Sequence, residues 1–195
     1  MAEVKCYSNA DSYVENYPDK SANYGTSSII RIGKTEARVY RSGYVKFDFS
    51  SYPYGNNTIP ISSAIFYFHC NSVEGGTPNH ACYYCTSSWT ETGINWNNQP
   101  SISSSLGQMG TGTGWKTLNI TDTVKGWLQG TITDYGLCIY SESTGNWSTF
   151  SSREGSYCPY ILINYTPIES SSISIHPASN ITYNSAKLNG RVVII

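Results

Sequence analysis

The sequence predicts an all-β protein: a jelly-roll β-sandwich with one short helix and a C-terminal extension of two strands. Charged residues make up only 13% of the 195 residues and aromatic residues 14%, and tyrosine alone occupies 17 positions. This composition favours pleated strands and polar loops over helices. Short segments of strand type recur along the chain with turn residues between them, and a single segment has helical periodicity.

The strands are predicted from alternation and from runs rich in β-branched and aromatic residues. In YVKFDF, Val45, Phe47 and Phe49 face one side while polar residues face the other. AIFYFHC (64–70) and ACYYCTSSW (81–89) flank a polar loop, and we expect them to form a long hairpin. The other predicted strands are residues 3–8, 28–33, 44–49, 136–142 and 160–165.

The segment ITDTVKGWLQG (120–130) has the spacing of a short helix. Four apolar residues fall at i, i+4, i+7 and i+8, namely Ile120, Val124, Trp127 and Leu128. Thr121 or Asp122 is the predicted N-cap and Gly130 the predicted stop. We expect this helix to close one end of the sandwich, with Trp127 in the core.

Residues 168–195 are predicted to be separate from a sandwich formed by residues 1–167. A proline and a serine run, YTPIESSSISI, have the composition of a linker, and the two strand patterns that follow are too short to bury a core. The final RVVII has the profile of a strand that seeks an open sheet edge. The tail therefore either begins another domain or adds a strand to its own sandwich or to a neighbouring molecule. The last case would give self-association and a filament.

An extracellular or cell-surface location is predicted from two features. The six cysteines are an even number, which suits an oxidising compartment. Five Asn-x-Ser/Thr sequons are candidates for N-glycosylation, at Asn56, Asn119, Asn146, Asn164 and Asn180. The first residues, MAEVKCYSN, lack the basic start and the apolar run of a signal peptide.

Charge and hydropathy exclude two classes of partner. The formal net charge of −1 gives no attraction to nucleic acid. No stretch approaches the roughly 20 apolar residues that span a bilayer, so no membrane insertion is expected.

Disulfides are expected in preference to a zinc site. Cys82-x-x-Cys85, with His69, Cys70 and His80 nearby, has ligand types that suit zinc. Residues three apart in a strand point to opposite faces, however, which disfavours both a zinc site and a Cys82–Cys85 bridge. In the expected hairpin Cys70 and Cys82 lie on opposed strands, so we predict a Cys70–Cys82 disulfide.

Seven motifs occur in a fixed order between residues 4 and 167. They are ADSYVENYPDKSANYG, YVKFDFSSYP, ISSAIFYF, WTETGINWNNQP, GWKTLNITDTVKGWLQG, YGLCIYSES and FSSREGSYCPYILINYTP. In this order they resemble the DNRLRE family of extracellular modules, also called disaggregatase-related repeats and grouped with a carbohydrate-binding module family. The tail resembles the first two strands of a fibronectin type III-like or immunoglobulin-like domain.

This resemblance implies a jelly-roll sandwich of the kind found on archaeal and bacterial envelope proteins, often beside polysaccharide-active enzymes. Some members of the family bind acidic polysaccharides such as alginate, and others have no established ligand. The six cysteines are not part of the family pattern.

The stretch WTETGINWNNQP (89–100) is predicted to be mainly scaffold. It follows a strand and ends in a proline, which cannot continue a ladder. Its asparagine amides suit a tight corner in which they bond to the backbone. We expect Trp89 and Trp96 to serve packing.

A basic segment is the strongest signal for a ligand. Residues 31–46 hold five of the 12 basic residues and a single acid, Glu36. Arginine pairs with carboxylates and tyrosine stacks on sugar rings, so the segment suits an acidic polysaccharide. The alternative is a solvated strand pair that guards against aggregation. The predicted ligand-binding residues are Arg31, Arg38, Tyr40, Arg41, Lys46 and Tyr160, with Arg38 and Tyr40 on one strand face.

Two other kinds of site have weaker support. Asp11 is a candidate ligand for a structural calcium ion, although no Asp-rich loop is present. Motifs for nucleophilic, zinc-dependent or phosphate chemistry are absent from the sequence, and Glu142 and Glu154 are the best-placed carboxylates for glycoside cleavage. We therefore expect a non-catalytic module that binds polysaccharide; the alternative is a structural or adhesive surface subunit.

Overall fold

The computed structural model describes residues 1–54, 61–76, 78–141 and 145–167, Tyr183, and the backbone of residues 171–179 and 187–194. The strands are β1 (Ala2–Glu15), β2 (Ile29–Lys34), β3 (Tyr40–Phe47), β4 (Ile61–Glu74), β5 (Ala81–Tyr84), β6 (Gly107–Gln108), β7 (Gly114–Asn119), β8 (Leu137–Tyr140), β9 (Asn146–Ser151), β10 (Tyr160–Tyr165), β11 (Ser171–Ser179) and β12 (Lys187–Ile194). A 3₁₀ turn spans Trp96–Asn98, and the helix α1 spans Thr121–Gln129.

One long strand, β1, passes from one layer of the sandwich into the other, and a second long strand, β4, extends from its layer to a strand that joins the two. β1 pairs with β10 through residues 2–7 and with β3 through residues 8–15, with a register shift between Ser8 and Ala10. β4 pairs in turn with β10, β7 and β9. One layer is thus β1–β10–β4–β7 and the other is β1–β3–β8–β5–β6, while β2 and β9 join them at one side. The predicted all-β jelly-roll sandwich with one short helix is confirmed.

The core lies between the inward faces of these layers. Phe66 and Phe68 of β4 and Val45 and Phe47 of β3 are all buried, as their alternation with polar neighbours predicts. Phe47 and Phe66 meet edge to face across the core, with 5.5 Å between ring centroids. Each such side chain contributes about 1.5–3 kcal/mol by burial.

A second apolar cluster covers the outer face of β3 and β8. Tyr44 and Cys138 point outward from these strands, and Trp89 and Ile94 of the segment 86–103 pack over them. The Tyr44 and Trp89 rings meet with 5.8 Å between centroids. The segment that contains WTETGINWNNQP is therefore fixed on the outside of one layer.

The predicted hairpin of residues 64–70 and 81–89 is wrong. β4 pairs with β10, β7 and β9, whereas β5 pairs with β6 and β8. The predicted Cys70–Cys82 disulfide is wrong for the same reason, because the two cysteines lie on strands that are not neighbours. The six cysteines, all within the described residues, are free: Cys6, Cys70, Cys82, Cys85 and Cys138 are buried and Cys158 is half-buried.

The helix prediction is confirmed except for its N-cap. α1 ends at Gly130, whose φ of 71° is left-handed, and Trp127 is buried against Phe49. The N-cap is Ile120, without a side-chain bond. Asn119 fills this role from one residue earlier, since its Oδ1 accepts the Thr121 backbone N–H at 3.0 Å.

The tail forms a hairpin of its own. β11 and β12 pair antiparallel with each other, and in the described part of the chain neither pairs with a strand of the sandwich. Addition of the tail to its own sandwich edge therefore finds no support in the described backbone. The boundary at residue 168 and the intermolecular version stay predictions.

Candidate functional site

A groove of about 380 Å³ lies on the outer face of the β3–β8 layer, beside the segment that covers it. Tyr40 and Trp96 form one wall, with 6.3 Å between their ring centroids. Tyr140 of β8 forms another wall, and the Tyr83 ring stacks on it at 5.1 Å. Hydroxyl and amide groups lie between the rings, from Ser42, Gln99, Ser101 and Ser141.

The strand period places these groups on one face. Tyr40, Ser42 and Tyr44 alternate with the inward residues of β3, so all three point outward. Tyr140 lies directly opposite Ser42 on the neighbouring strand. The groove is therefore built partly on rigid sheet, which keeps its polar and aromatic groups in fixed positions.

The corner that carries Trp96 is held by its own amides. The Asn95 side chain accepts from the Asn97 backbone N–H at 2.9 Å, and the Asn98 side chain accepts from the Asn95 N–H at 2.7 Å. The Gln99 amide donates to the Trp96 carbonyl and accepts from the Tyr44 hydroxyl. The predicted corner is confirmed, and it orients the indole of Trp96.

The two tryptophans of this stretch have different roles. Trp89 is 5% exposed, its indole N–H donates to the Tyr135 carbonyl at 2.7 Å, and it packs in the outer cluster. The packing role predicted for Trp89 is confirmed. Trp96 is half-buried and lines the groove, so packing is only part of its role.

A partly exposed ion-pair network anchors the same segment at its other end. Arg153 donates through Nε and Nη2 to the two Glu91 oxygens at 2.7 and 3.0 Å, and its Nε also lies 2.9 Å from a Glu154 oxygen. The backbone N–H of Arg153 donates to Asp11 Oδ2 at 2.7 Å, and the backbone N–H of Asp11 donates to Glu91 at 2.9 Å. The network ties β1, the segment 86–103 and the loop after β9 together.

Asp11, the predicted calcium ligand, lies in a cluster of three carboxylates that already bind an arginine, and the calcium site stays a prediction. Carboxylate oxygens of Asp11, Glu91 and Glu154 lie within 4.8 Å of one another. The Arg153 guanidinium already bonds to two of the three carboxylates, and its backbone N–H bonds to the third. A Ca²⁺ ion needs six to eight oxygen ligands and would have to displace that guanidinium.

Burial gives Asp11 an unusual proton affinity. The carboxyl is 1% exposed, and its burial raises its pKa to about 7, helped by Glu154 and Glu91 and opposed by the bond from Arg153. An unfolded aspartate ionises near pH 4. Between about pH 4 and 7 the folded state thus binds more protons than the unfolded state, so the free energy of unfolding falls as the pH rises.

The variant Asp11→Asn is expected to remove this part of the pH dependence, because the amide keeps an acceptor for the Arg153 N–H and cannot ionise. Between pH 5 and pH 8 the free energy of unfolding of the wild type should fall by up to a few kcal/mol, and that of the variant should not show this fall. Thermal unfolding of both proteins at the two pH values measures the difference. Equal pH dependence would contradict the buried position of Asp11.

The predicted basic residues do not form one surface. Arg41 is among the residues that line the groove, but its Nε pairs with Glu15 at 2.8 Å and its guanidinium lies 5.2 Å from the Trp147 ring. Arg38 has a φ of 60° and lies in a turn, so its predicted place on a strand face with Tyr40 is wrong. Arg38 is still held beside Tyr40, since Asn16 bonds to both backbones.

Three predicted ligand residues lie away from the groove. Arg31 lies 6.0 Å from the Tyr13 ring, and its Nε is buried. Lys46 donates to the Trp89 carbonyl at 2.5 Å and supports the outer cluster. Tyr160 lies on β10, in the opposite layer of the sandwich.

The structure describes three of the five asparagines predicted as N-glycosylation sites. Asn56 and Asn180 lie outside the described residues. Asn164 donates to Ser63 at 3.1 Å, and Asn146 accepts the Gly76 N–H. Asn119 is exposed at the end of β7 with its oxygen bonded to Thr121, which leaves its side-chain nitrogen the best placed of the three for modification.

The described side chains do not support the alternatives of glycoside cleavage and zinc binding. Glu142 lies outside the described residues, and Glu154 contacts Arg153. Among the described residues the one group of three or more ligand side chains is the cluster of Asp11, Glu91 and Glu154, so His80, Cys82 and Cys85 do not form a zinc site there. His80 is 2% exposed, and burial lowers its pKa to about 4.

Sequence reasoning missed most of the groove. Trp96 was assigned to packing, and Tyr140 and Gln99 were not singled out. The alternation of Tyr40, Ser42 and Tyr44 was the available signal for an outward face that carries aromatic rings and a hydroxyl group. No helix in the described part of the chain is long and apolar enough to cross a membrane.

One family model matches the chain over residues 2–165, and its description is carbohydrate-binding module family 96. No curated protein matches the chain. The matched range covers the sandwich, the groove and the ion-pair network, and it ends before β11 and β12.

Proposed function

The chain belongs to carbohydrate-binding module family 96, and we propose that its groove binds a polysaccharide chain, with acidic polymers preferred over neutral ones. Modules of this class bind carbohydrate and are in general non-catalytic. The fibronectin-like or immunoglobulin-like resemblance of the tail lies outside the matched range and stays a prediction.

The observation that carries the proposal is the pairing of Tyr40 with Trp96 over a bed of polar groups. Sugar rings present apolar faces that stack on aromatic rings and hydroxyl groups that need hydrogen-bond partners. Trp96 and Tyr140 supply stacking surfaces, and Ser42 and Gln99 supply polar atoms on the same groove. The rigid corner that carries Trp96 reduces the ordering cost of binding.

Two cations, Lys34 and Arg38, support the preference for acidic polymers; we call the edge of the groove beside Tyr40, where they lie, the rim. The Lys34 ammonium lies 4.7 Å from the centroid of the Tyr40 ring. Arg38 is exposed in the adjacent turn. Neither residue forms an ion pair with a described residue, whereas Arg41 is neutralised by Glu15. A uronate carboxylate that lies over Tyr40 would have both cations within reach.

An extracellular location is part of the same proposal, because acidic polysaccharides of cell envelopes are encountered outside the cell. Disulfides do not support this location, because all six cysteines are free. The exposed sequon at Asn119 is compatible with export.

Removal of the rim charges tests the acidic preference. The double variant Lys34→Ala/Arg38→Ala is expected to bind polygalacturonate roughly tenfold more weakly, since exposed charges contribute up to about 1 kcal/mol each. The affinity of the wild type should also fall as salt rises, and that of the double variant much less. Isothermal titration at low and high salt measures both effects.

The matched control is Lys125→Ala, which removes a cation from α1, a helix that packs against β4. This variant should bind like the wild type. Binding by the double variant that equals that of the wild type at every salt concentration would refute the assignment of the rim.

A further inference from the structure

A second aromatic surface lies on the opposite layer of the sandwich. Along residues 2–7 of β1, and along β10, β4 and β7, outward residues alternate with the core residues. The outward positions and the adjoining loop after β9 bring six rings together, which we call the aromatic platform: Tyr7, Tyr67, His69, Trp115, Tyr157 and Tyr160.

The rings of the aromatic platform form a continuous series of contacts. Tyr67 and Tyr160 stack at 4.7 Å with 8° between their planes, and Trp115 meets Tyr160 edge to face at 5.4 Å. His69 lies 5.2 Å from Trp115 and stacks on Tyr157 at 3.9 Å. Four strands at their usual spacing give the platform a width of roughly 15 Å.

Part of this apolar surface is left to solvent. Tyr7 is 50% exposed, Trp115 42% and Tyr157 46%. Cross-strand aromatic pairs stabilise a sheet, and this role accounts for the half-buried Tyr67 and Tyr160. It does not account for rings that keep nearly half of their surface in water at the edges of the cluster.

A polar cleft adjoins the platform. A cavity of about 210 Å³ is lined by Asn71, Ser151, Ser156 and Tyr157, among others. The Asn71 side-chain oxygen lies 2.9 Å from His69 Nδ1 and accepts from the Ser151 hydroxyl at 3.2 Å. A stacking surface that ends in hydroxyl and amide groups has the two components that recognise a sugar.

The charge on this face decides the class of glycan. Beside the rings of the platform the formal charges are Lys5, whose ammonium lies 4.8 Å from the Tyr160 centroid, and Glu3, two residues away. The two charges offset each other. The exposed Glu74 lies at the far end of β4, beyond the register shift that follows Cys70. The outward neighbours of the rings are neutral, as in Thr117 and Asn164. The face therefore offers stacking and hydrogen bonds without net charge.

The size of the platform argues against a second protein. Its exposed ring surface is on the order of a few hundred Å², the size of the largest apolar patch on an ordinary monomer. A stable protein interface buries about 800 Å² on each partner. Sugar rings need far less area, and the platform is wide enough for more than one of them.

We propose that the aromatic platform and its adjoining cleft form a second glycan-binding site, which takes an uncharged polysaccharide chain. The core separates this site from the groove, since Phe66 of β4 and Phe47 of β3 meet between the two layers. The module thus carries sites of different charge preference on opposite faces. The platform does not depend on the groove, and either assignment stands without the other.

Removal of the exposed rings tests the platform. The variants Trp115→Ala and Tyr157→Ala remove rings that are nearly half exposed, so both should keep the fold, which thermal unfolding verifies. Binding to hydroxyethyl cellulose, xyloglucan and galactomannan is followed by affinity electrophoresis and titration. We expect the wild type to bind at least one of these neutral polymers, and each variant to bind that polymer at least about tenfold more weakly.

The groove variant Trp96→Ala is the matched control and should bind the neutral polymer like the wild type. Polygalacturonate binding by the same proteins reports on the groove separately, so failure of one site is distinguishable from failure of the other. Three results would overturn the platform: no binding of any neutral polymer, unchanged binding by Trp115→Ala and Tyr157→Ala, or a wild-type dimer in light scattering that Trp115→Ala dissociates.

Discussion

Replacement of Glu15 by alanine is expected to lower the free energy of unfolding by about 3–5 kcal/mol. The Glu15 and Arg41 side chains are 6% and 13% exposed, and the carboxylate also accepts a bond from the Tyr24 hydroxyl. Its removal leaves a nearly buried guanidinium without an anion, and the Arg41 Nη1 already has no hydrogen-bond partner. An uncompensated buried charge is among the costliest defects of a folded protein.

Urea unfolding of the wild type and of Glu15→Ala measures this loss, and the melting temperature should fall on the order of 10 °C. Glu154→Ala is the matched control, because its ion pair with Arg153 is partly exposed on both sides. It should cost less than about 1 kcal/mol. A loss for Glu15→Ala as small as that of the control would contradict the buried pair.

Replacement of Trp96 by alanine is expected to weaken polygalacturonate binding about 30-fold, which corresponds to about 2 kcal/mol. Trp96 and Tyr40 form the aromatic wall of the groove, and the indole is positioned by a corner whose hydrogen bonds come from Asn95, Asn98 and Gln99. These bonds do not involve the indole ring, so the corner should survive the substitution.

Two other tryptophans complete this experiment. Trp115→Ala removes an exposed ring of the same type from the opposite layer and should leave polygalacturonate binding unchanged. Trp89→Ala is unsuitable as a site variant, because Trp89 is buried and its removal should lower the free energy of unfolding by several kcal/mol. A loss of less than twofold for Trp96→Ala would remove the tryptophan from the binding site.

Local patterns in the sequence predicted most of the secondary structure. The strand predicted at residues 160–165 has the bounds of β10, and α1 lies within the predicted segment 120–130. β7 and β9 were not predicted. In β7 a single apolar residue, Leu118, packs against the core, and the exposed Trp115 breaks the expected alternation.

Strand pairing was harder to predict than the strands themselves. β4 and β5 are consecutive in the chain with a hairpin-like loop between them, yet they belong to different pairings. In a jelly roll the neighbours of a strand are set by the closure of two layers, which depends on contacts distant in sequence. The incorrect Cys70–Cys82 disulfide followed directly from the assumed hairpin.

The groove was predicted only in part because a run of basic residues is a property of the chain and a binding face is a property of the sheet. Tyr40 and Arg41 are adjacent in sequence, but Tyr40 forms a wall of the groove whereas Arg41 is neutralised by Glu15. Trp96 comes to Tyr40 through a corner 56 positions further along the chain. Only the structure brings that pair together.

The central claim is that the groove between Tyr40, Trp96 and Tyr140 holds the acidic polysaccharide. Hydroxyl-radical footprinting of the full chain, with and without saturating polygalacturonate, tests it residue by residue. The account predicts that the polymer protects Trp96 and Tyr40 from oxidation and leaves the exposed Trp115 unchanged. Protection of Trp115 with unchanged oxidation of Trp96, or protection of neither, would contradict the account.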